Sequence, residues 1–255
     1  MSITGKRALV TGSSQGIGQT IAQRLAEEGC DVIINYHSHP ETAEETAEGI
    51  RKLGRKAVLV QADLSTTEGT RELVQKSIEG LDGLDLLVNN AGLEKHANFW
   101  DVTERDYDLV LNTDLRGAFF TTQAFVKHLM AEKRPGKIIN ISSVHEELPF
   151  PHFTAYCASK GGMKMMMRNL AIELAPFGIT VNNVAPGAIE TPINKNLLND
   201  PDKLKALLEN IPLKRLGKTT DVAGVVVFLA STDADYITGT TIVVDGGLTW
   251  NYSEQ

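Results

Sequence analysis

A tyrosine and a lysine, Tyr156 and Lys160, stand four residues apart in a helix-like stretch that runs from Thr154 to about Phe177. Side chains at this spacing lie on one face of a helix. A tyrosine hydroxyl ionises near pH ~10 in water, so it removes a proton at neutral pH only where its anion is stabilised. A neighbouring ammonium group stabilises that anion by its charge. The pair therefore predicts that Tyr156 transfers a proton and that Lys160 lowers the pKa of Tyr156.

Two polar segments that end apolar runs are expected beside this pair. Ser142-Ser143 follows one run, and Asn89-Asn90-Ala91-Gly92 follows another. In a parallel α/β sheet the ligand site lies beyond the carboxyl ends of the strands. We therefore expect both segments to line the same site as Tyr156.

A glycine-rich turn follows the first apolar run, with the sequence Thr11-Gly12-Ser13-Ser14-Gln15-Gly16-Ile17-Gly18. Gly12 permits a tight turn, Gly16 lets a pyrophosphate approach bare backbone, and Gly18 lets the following helix pack closely on the strand. The unpaired N–H groups at the start of that helix would face the phosphate. With a strand before it and a helix after it, the turn predicts a dinucleotide cofactor.

The choice between NADP and NAD depends on the end of the second strand. An acidic residue there would accept a hydrogen bond from the ribose 2′-hydroxyl and repel a 2′-phosphate. This chain has Tyr36, His37 and Ser38, with no carboxylate before Glu41. Ser38 or a protonated His37 can bind a phosphate, so we predict NADP and leave NAD open as a second cofactor.

The elements that must position these residues are β-branched runs alternating with helical patterns, a pattern typical of parallel strands buried on both faces. It predicts a Rossmann-type α/β fold, a doubly wound parallel sheet of about seven strands with helices on both faces, in a single domain spanning 1–255. The seven predicted strands are Arg7–Thr11, Asp31–Tyr36, Lys56–Gln61, Leu84–Asn89, Lys137–Ile141, Thr180–Val184 and Thr241–Val244.

Composition excludes several classes of partner. The 255-residue chain carries a formal net charge of −7 and has no basic block, which argues against nucleic acid and anionic membranes. It has neither a stretch of ~20 apolar residues nor a signal-peptide pattern. The two cysteines, Cys30 and Cys157, form no metal-binding pattern. We expect a cytoplasmic protein with reduced thiols and no metal site.

These motifs, in this order and over almost the whole chain, resemble the short-chain dehydrogenase/reductase family. The family patterns Thr-Gly-x-x-x-Gly-x-Gly, Asn-Asn-Ala-Gly and Tyr-x-x-x-Lys match residues 11–18, 89–92 and 156–160. The resemblance implies an NAD(P)-dependent homotetramer in which Ser143, thirteen residues before Tyr156, is the catalytic serine and Lys160 binds the nicotinamide ribose. It also implies cofactor contacts from Asp63, Leu64, Asn90, Ala91, Gly92, Pro186, Gly187, Ile189 and Thr191.

One position departs from the family pattern. A segment like Thr-Asn-Leu-x-Gly usually carries an active-site asparagine, and here Asp114 occupies that place. A carboxylate accepts hydrogen bonds but lacks the amide donor, and it adds a negative charge. The resemblance thus makes Asp114 a fourth catalytic position with altered chemistry.

The substrate is expected between the loop at about 188–215 and the segment after Ser143. The first loop is polar, with Asn194-Lys195-Asn196 among its residues, and Glu94, His145 and Glu146 can hydrogen-bond several hydroxyl groups. Together with Ser143 and Tyr156, these residues suit a sugar, polyol or ketone. Within the family the chain is most similar to bacterial glucose 1-dehydrogenases, which implies oxidation of the C1 hydroxyl of glucose to a lactone. The alternatives are a carbonyl, polyol or 3-oxoacyl-thioester reductase and a catalytically silent NADP-binding protein.

Overall fold

The protein is built on one parallel sheet of seven strands in the order β3-β2-β1-β4-β5-β6-β7. The structure is a computed structural model, in which we describe residues 2–192 and 200–251. The strand bounds are β1 Arg7–Val10, β2 Asp31–Tyr36, β3 Ala57–Gln61, β4 Leu86–Asn89, β5 Gly136–Ile141, β6 Ile179–Pro186 and β7 Thr241–Val244. The predicted Rossmann-type fold is confirmed, and each of the seven strands matches one predicted run.

Helices cover both faces of the sheet. Their bounds are α1 Gly16–Glu27, α2 Pro40–Lys52, α3 Thr67–Leu81, α4 Glu104–Leu111, α5 Ala118–Glu132, α6 Thr154–Leu174, α7 Pro201–Asn210 and α8 Thr219–Ala230. Short 3-10 turns occupy Phe99–Asp101, Val144–Glu146, Ala175–Phe177, Thr232–Ala234 and Leu248–Trp250. No helix within the described ranges is both long enough and apolar enough to span a membrane.

Successive side chains of each strand point into two apolar cores, one on each face of the sheet. The strand sequences are therefore hydrophobic at almost every position. On one face, Val10 and Ile34 pack in a core with residues of α1, α2 and α8. On the other, Leu9 and Ile33 pack with residues of α3, α5 and α6. With all strands parallel, their carboxyl ends share one edge of the sheet.

Two helical features position the residues along that edge. Helix α6 is anchored by the buried Met163 and Met167, so its first turns hold Tyr156 and Lys160 beside the end of β5. Between α4 and α5 the chain forms a π-helix over Asn112–Gly117, which includes the buried Asp114. Such wide turns are rare and occur frequently at functional sites. The polar loop residues Asn194-Lys195-Asn196 lie outside the described residues.

Candidate active site

The glycine turn after β1 has the geometry that its sequence predicts. Gly12 has a φ of 59°, and a Cβ there would lie 2.9 Å from Ala91 Cα, so only glycine fits without strain. A Cβ on Gly18 would collide with the Gly12 carbonyl oxygen, which confirms the predicted close packing of α1. Asn35 Oδ1 accepts the Gly12 N–H at 3.0 Å and fixes the turn to β2.

The start of α1 is arranged to receive an anion. Its N-cap residue, Gln15, makes no side-chain hydrogen bond to the helix, so first-turn N–H groups keep their capacity for a ligand. Gly16 has a φ of 61°, and the nearest atom to a Cβ there would be Pro192 Cδ at 3.9 Å. The chain after β6 therefore passes over open backbone at Gly16. Bare glycine backbone, a free helix N-terminus and an overlying segment fit a dinucleotide pyrophosphate.

Thr11 and Asn90 join the turn to the end of β4. Thr11 Oγ1 accepts the N–H groups of Asn90 and Ala91 at 2.9 and 3.0 Å. In return, Asn90 Nδ2 donates to the carbonyl oxygens of Thr11 and Gly12, both at 2.9 Å. The Asn-Asn-Ala-Gly segment thus lies against the glycine turn, as expected from its place at the end of β4.

The ends of β2 and β3 lie side by side where the adenosine half of a dinucleotide would be held. His37 and Ser38 are exposed beyond β2, and Tyr36 is half-buried. At the end of β3, burial acts to raise the pKa of Asp63, but hydrogen bonds from Ser65 and the charge of His37 leave that pKa lowered. Asp63 and His37 are therefore close enough to interact, and Leu64 beside them is buried.

The segment after β6 is held by β7 and by a short bridge. The N–H of Gly187 donates to the Val244 carbonyl at 3.0 Å, and a Cβ on Gly187 would lie 2.7 Å from Asp245 Cβ. Ile189 is buried and pairs with Gly217 in a parallel bridge. This bridge closes the base of the predicted substrate loop, and Thr191 follows it, half-buried, near the glycine turn.

Ser143, Tyr156 and Lys160 come together between β5 and α6. The Ser143 hydroxyl is close enough to that of Tyr156 for hydrogen bonding to act on the Tyr156 pKa. Lys160 Nζ lies 5.3 Å from the centre of the Tyr156 ring and donates to the Ile141 carbonyl at 3.3 Å. The predicted constellation therefore forms as a contiguous cluster.

The protonation of Tyr156 differs from the sequence expectation. Burial raises the pKa of Tyr156, and this effect outweighs the lowering by the charge of Lys160 and by the Ser143 hydrogen bond. Lys160 acts in the expected direction, but the net pKa of Tyr156 is raised because the carboxylates of Asp114 and Glu94 add to the effect of burial. Sequence reasoning weighed the lysine and not the desolvation of the tyrosine.

Asp114 and Glu94 are the acidic members of the cluster. Asp114 is fully buried, its Oδ1 accepts the Leu93 N–H at 2.9 Å, and its Oδ2 lies 3.4 Å from Lys160 Nζ. Burial raises the pKa of Asp114, and Lys160 counteracts it. Burial, followed by the charge of Asp114, also raises the pKa of the half-buried Glu94. For Lys160, burial acts to lower the pKa, but the charges of Asp114 and Tyr156 leave it raised.

His145 forms one end of a row of rings beside Tyr156. It stacks on Phe150 with ring centres 4.2 Å apart and an interplanar angle of 2°, and Phe150 stacks on Phe153 at 4.1 Å. The His145 ring centre lies 6.4 Å from that of Tyr156. His145 Nδ1 faces the Leu148 carbonyl oxygen at 3.2 Å, and burial lowers the pKa of the ring. We therefore assign a neutral imidazole with Nδ1–H donating, which leaves Nε2 as an acceptor.

A chain of buried amides crosses the sheet below the site, and sequence reasoning missed it. Asn89 Nδ2 donates to Asn140 Oδ1, and Asn140 Nδ2 donates to Asn183 Oδ1, both at 2.9 Å. Asn183 Nδ2 then donates to Glu146 Oε2 at 3.1 Å, and Glu146 Oε1 accepts from Thr241 Oγ1 at 2.7 Å. The available signal was an asparagine at the same register near the carboxyl ends of β4, β5 and β6.

This chain of amides changes the role expected for Glu146. Sequence reasoning offered its carboxylate to substrate hydroxyls, but its side chain is only 2% exposed and both oxygens accept hydrogen bonds from the protein. Glu146 instead attaches the turn after Ser143 to strands β6 and β7 by these hydrogen bonds. Among the described residues no group of three or more His, Cys, Asp or Glu side chains could hold a metal ion, and Cys30 and Cys157 are free.

Comparison with known proteins decides the family. A family model described as Enoyl-(Acyl carrier protein) reductase matches residues 12–249. The chain is 42% identical to glucose 1-dehydrogenase 2 of Bacillus subtilis over 248 residues, covering 97% of this chain and 96% of that protein. The chain belongs to the short-chain dehydrogenase/reductase family. It is therefore an NAD(P)-dependent oxidoreductase that acts on CH–OH groups.

Relatives within the family carry names with different substrates. The chain is also 42% identical to 3beta-hydroxysteroid dehydrogenase 1 of Eggerthella lenta, over 97% of this chain and 95% of that protein. A crystal structure of a gluconate 5-dehydrogenase from Burkholderia cenocepacia in complex with NADP superposes with a TM-score of 0.93, at 35% identity over 98% of both chains. Membership fixes the class of reaction, and the substrate has to be argued from the site.

Proposed function

We propose that this enzyme oxidises the C1 hydroxyl of a ring sugar, with glucose as the reference substrate, to the lactone, using NADP. Bound NADP supplies the hydride acceptor. The glycine turn, Asn90 and Lys160 would hold it, with His37 and Ser38 at its 2′-phosphate. The segment just beyond β2 carries no carboxylate that would repel this phosphate, because none precedes Glu41 there.

Three side chains carry the proton chemistry in this proposal. Ser143 donates a hydrogen bond to the reacting oxygen and holds it against Tyr156. Ionised Tyr156 takes the proton from the substrate hydroxyl as the C–H hydrogen leaves as hydride. Lys160 favours the ionised form of Tyr156 by its charge. Carbonyl reduction uses the same groups in reverse, with the Tyr156 hydroxyl donating the proton.

The observation that carries the sugar proposal is the set of acceptors around Tyr156. Neutral His145 accepts a hydrogen bond at Nε2, and the Glu94 carboxylate accepts at both oxygens when ionised, so both match hydroxyl groups, which donate. A 3-oxoacyl chain offers few donors and would leave these acceptors unpaired. His145, Phe150 and Phe153 stack face to face and add apolar ring surface beside Tyr156, which can contact the C–H groups of a pyranose.

The test is a panel of initial rates with NADP and NAD supplied separately. The panel contains glucose, other aldoses and polyols for oxidation, and a small ketone, a 3-oxosteroid and a 3-oxoacyl thioester for reduction. We expect the highest kcat/KM with an aldose and NADP. No rate on any sugar combined with fast reduction of a ketone or thioester refutes the sugar proposal, and binding of NADP without turnover on any member identifies a silent binding protein.

Two variants with a matched control test whether His145 and Glu94 bind the hydroxyl groups of the sugar. His145→Ala and Glu94→Gln are expected to lower kcat/KM for the sugar by about 10- to 100-fold. The first removes an acceptor, and the second removes the charge and replaces one acceptor oxygen by an amide donor, so each disturbs a substrate hydrogen bond at about 1–3 kcal/mol. Their affinity for NADP should be unchanged. Glu147→Gln is the control because Glu147 is adjacent to the same turn but its side chain is 60% exposed. Equal losses in control and test variants would contradict the assigned contacts.

A second candidate, reduction of a hydrophobic ketone, is favoured by the same aromatic row and by the raised pKa of Tyr156. A protonated Tyr156 is the form that reduction requires. The ketone and steroid arms of the panel decide between the two functions.

We also propose that the enzyme is a homotetramer, with long helices and β7 in the interfaces. Apolar side chains are exposed on these elements, among them Phe119 on α5, Met165 and Ile172 on α6, and Val243 on β7. Contiguous exposed apolar surface is typical of protein interfaces. Light scattering should give four times the chain mass of 27.8 kDa, and a monomeric mass would refute the proposal.

A further inference from the structure

The Asp114 carboxylate is held rigidly inside the protein next to the proton-transfer pair. It is fully buried in the π-helix, and its Oδ1 accepts the Leu93 N–H at 2.9 Å. Gly92 packs on it so closely that a Cβ there would lie 3.0 Å from Oδ2. Both contacts come from the segment after β4, so the carboxylate cannot turn away from Lys160 without moving that segment.

Lys160 is shared between Tyr156 and this carboxylate. Its Nζ lies 3.4 Å from Asp114 Oδ2 and 5.3 Å from the centre of the Tyr156 ring. Asp114 Oδ2 makes no hydrogen bond of normal geometry within the described ranges, so the ion pair with Lys160 is what compensates its burial. A buried ammonium between a fixed carboxylate and a phenol divides its attraction between the two, and solvent screens these charges weakly.

The other groups around Tyr156 strengthen the effect of the carboxylate. On the segment after β4, Glu94 is half-buried and carries a second negative charge when ionised, which raises the pKa of Tyr156 as Asp114 does. On the turn after β5, Ser143 is neutral and burial lowers the pKa of His145, so neither brings a positive charge. Glu146 acts on Lys160 from the same turn but is paired with Lys164 at 3.5 Å.

We propose that Asp114 is a positioning residue: its buried carboxylate offsets the positive charge of Lys160, which stays an ammonium group, and so adds to burial in keeping the Tyr156 hydroxyl protonated at neutral pH. This inference rests on the proposed role of Tyr156 as the proton-transfer group. Its consequence is that alcohol oxidation, which needs ionised Tyr156, reaches its full rate only at alkaline pH, whereas carbonyl reduction, which needs the hydroxyl, is fully active at neutral pH. Asp114 acts through Lys160 and touches no reacting atom.

Asp114→Asn tests the proposal because it removes the charge and keeps the shape. An adjacent buried charge moves a pKa by about 1–3 units. We therefore expect the pKa of Tyr156 to be lower by about one unit or more in the variant. The direct readout is the tyrosinate absorbance titration of each protein minus that of its Tyr156→Phe counterpart. The kinetic readout is the pH profile of kcat/KM in both directions. Asp108→Asn is the control, since Asp108 is exposed on the neighbouring α4.

The expected result is a downward shift in the difference titration of Asp114→Asn, no shift in Asp108→Asn, and oxidation at neutral pH that is about tenfold faster in the former. A folded Asp114→Asn protein with an unshifted Tyr156 titration overturns the proposal. If the variant does not fold, NMR of isotope-labelled aspartate in the wild-type protein decides the matter, because a protonated Asp114 at neutral pH also overturns it. A shifted titration in a protein whose Tyr156→Phe variant keeps full turnover would refute the proposed role of Tyr156 and leave the electrostatic coupling intact.

Discussion

Adjacent glutamates after Ser143 give the sharpest structural prediction, because they share one partner and differ in burial. Glu146 and Glu147 both pair with Lys164, but their side chains are 2% and 60% exposed. Glu146 also accepts hydrogen bonds from Asn183 at 3.1 Å and from Thr241 at 2.7 Å. Replacing each glutamate by alanine therefore removes the same chemical group from two different environments.

The cost follows from what each change leaves behind. Glu146→Ala leaves the buried Asn183 amide and the half-buried Thr241 hydroxyl without an acceptor, at about 1–3 kcal/mol for each buried donor. Because the Thr241 hydroxyl can reach water, we expect a loss of about 3 kcal/mol in the free energy of unfolding. For a chain of this size that lowers Tm by about 6–12 °C. Glu147→Ala should change the free energy of unfolding by no more than about 0.5 kcal/mol.

The same pair should differ in activity. The Glu146 carboxylate holds the turn that carries Ser143 and His145, and a displacement of about 1 Å at such a site costs up to about 100-fold in rate. The assay combines urea unfolding of both variants with kcat/KM below their transitions. If the two alanine variants unfold at the same urea concentration, the buried carboxylate does not anchor this turn and the interpretation fails. Glu146→Gln, which keeps one acceptor, should fall between them.

Gly12, Cys30 and Asp85 allow tests of backbone strain, thiol burial and a buried ion pair. Gly12→Ala should cost about 1–3 kcal/mol in stability and weaken NADP binding, since φ is 59° and a Cβ would press on Ala91; calorimetric binding at unchanged affinity would contradict this. Cys30, whose pKa burial raises to about 12, should resist thiol reagents until the protein unfolds, which mass spectrometry can follow; rapid labelling in native buffer would contradict its burial. Burial acts to raise the pKa of Asp85, but hydrogen bonds from Arg7 leave it lowered, so its stabilisation is complete above its unfolded pKa of about 3.9 and is lost as pH falls through the folded value. Asp85→Asn should thus flatten the acid limb of the stability curve, and an unchanged limb would exclude Asp85 as its cause.

The architecture could be predicted from the sequence because buried parallel strands and glycine turns each leave a pattern within a short stretch of residues. The runs of β1 to β7 are apolar on both faces, and Gly12 and Gly18 occupy positions that only a strand-turn-helix unit explains. The four-residue spacing of Tyr156 and Lys160 likewise predicts that they share one face of a helix. The structure places both beside Ser143.

The features of the site that could not be predicted from the sequence depend on contacts between segments far apart in the chain. The hydrogen bonds among Asn89, Asn140 and Asn183 form across three strands, so no local pattern distinguishes these amides from exposed ones. Glu146 is predicted as a substrate ligand because it follows Ser143 closely and can hydrogen-bond hydroxyl groups, but its partners lie on β6 and β7. The raised pKa of Tyr156 depends on burial, which is a property of the folded cluster and not of residue spacing.

The Tyr156→Phe variant tests whether Tyr156 transfers the proton in an NADP-dependent oxidation. The change removes one hydroxyl and leaves the ring that packs near His145 and Lys160. NADP affinity is measured by calorimetry, and turnover is measured on the best substrate of the panel with the same protein preparation. We predict unchanged NADP affinity with a loss of about 1000-fold or more in kcat, in the range of general acid–base catalysis. Turnover at the wild-type rate would contradict it.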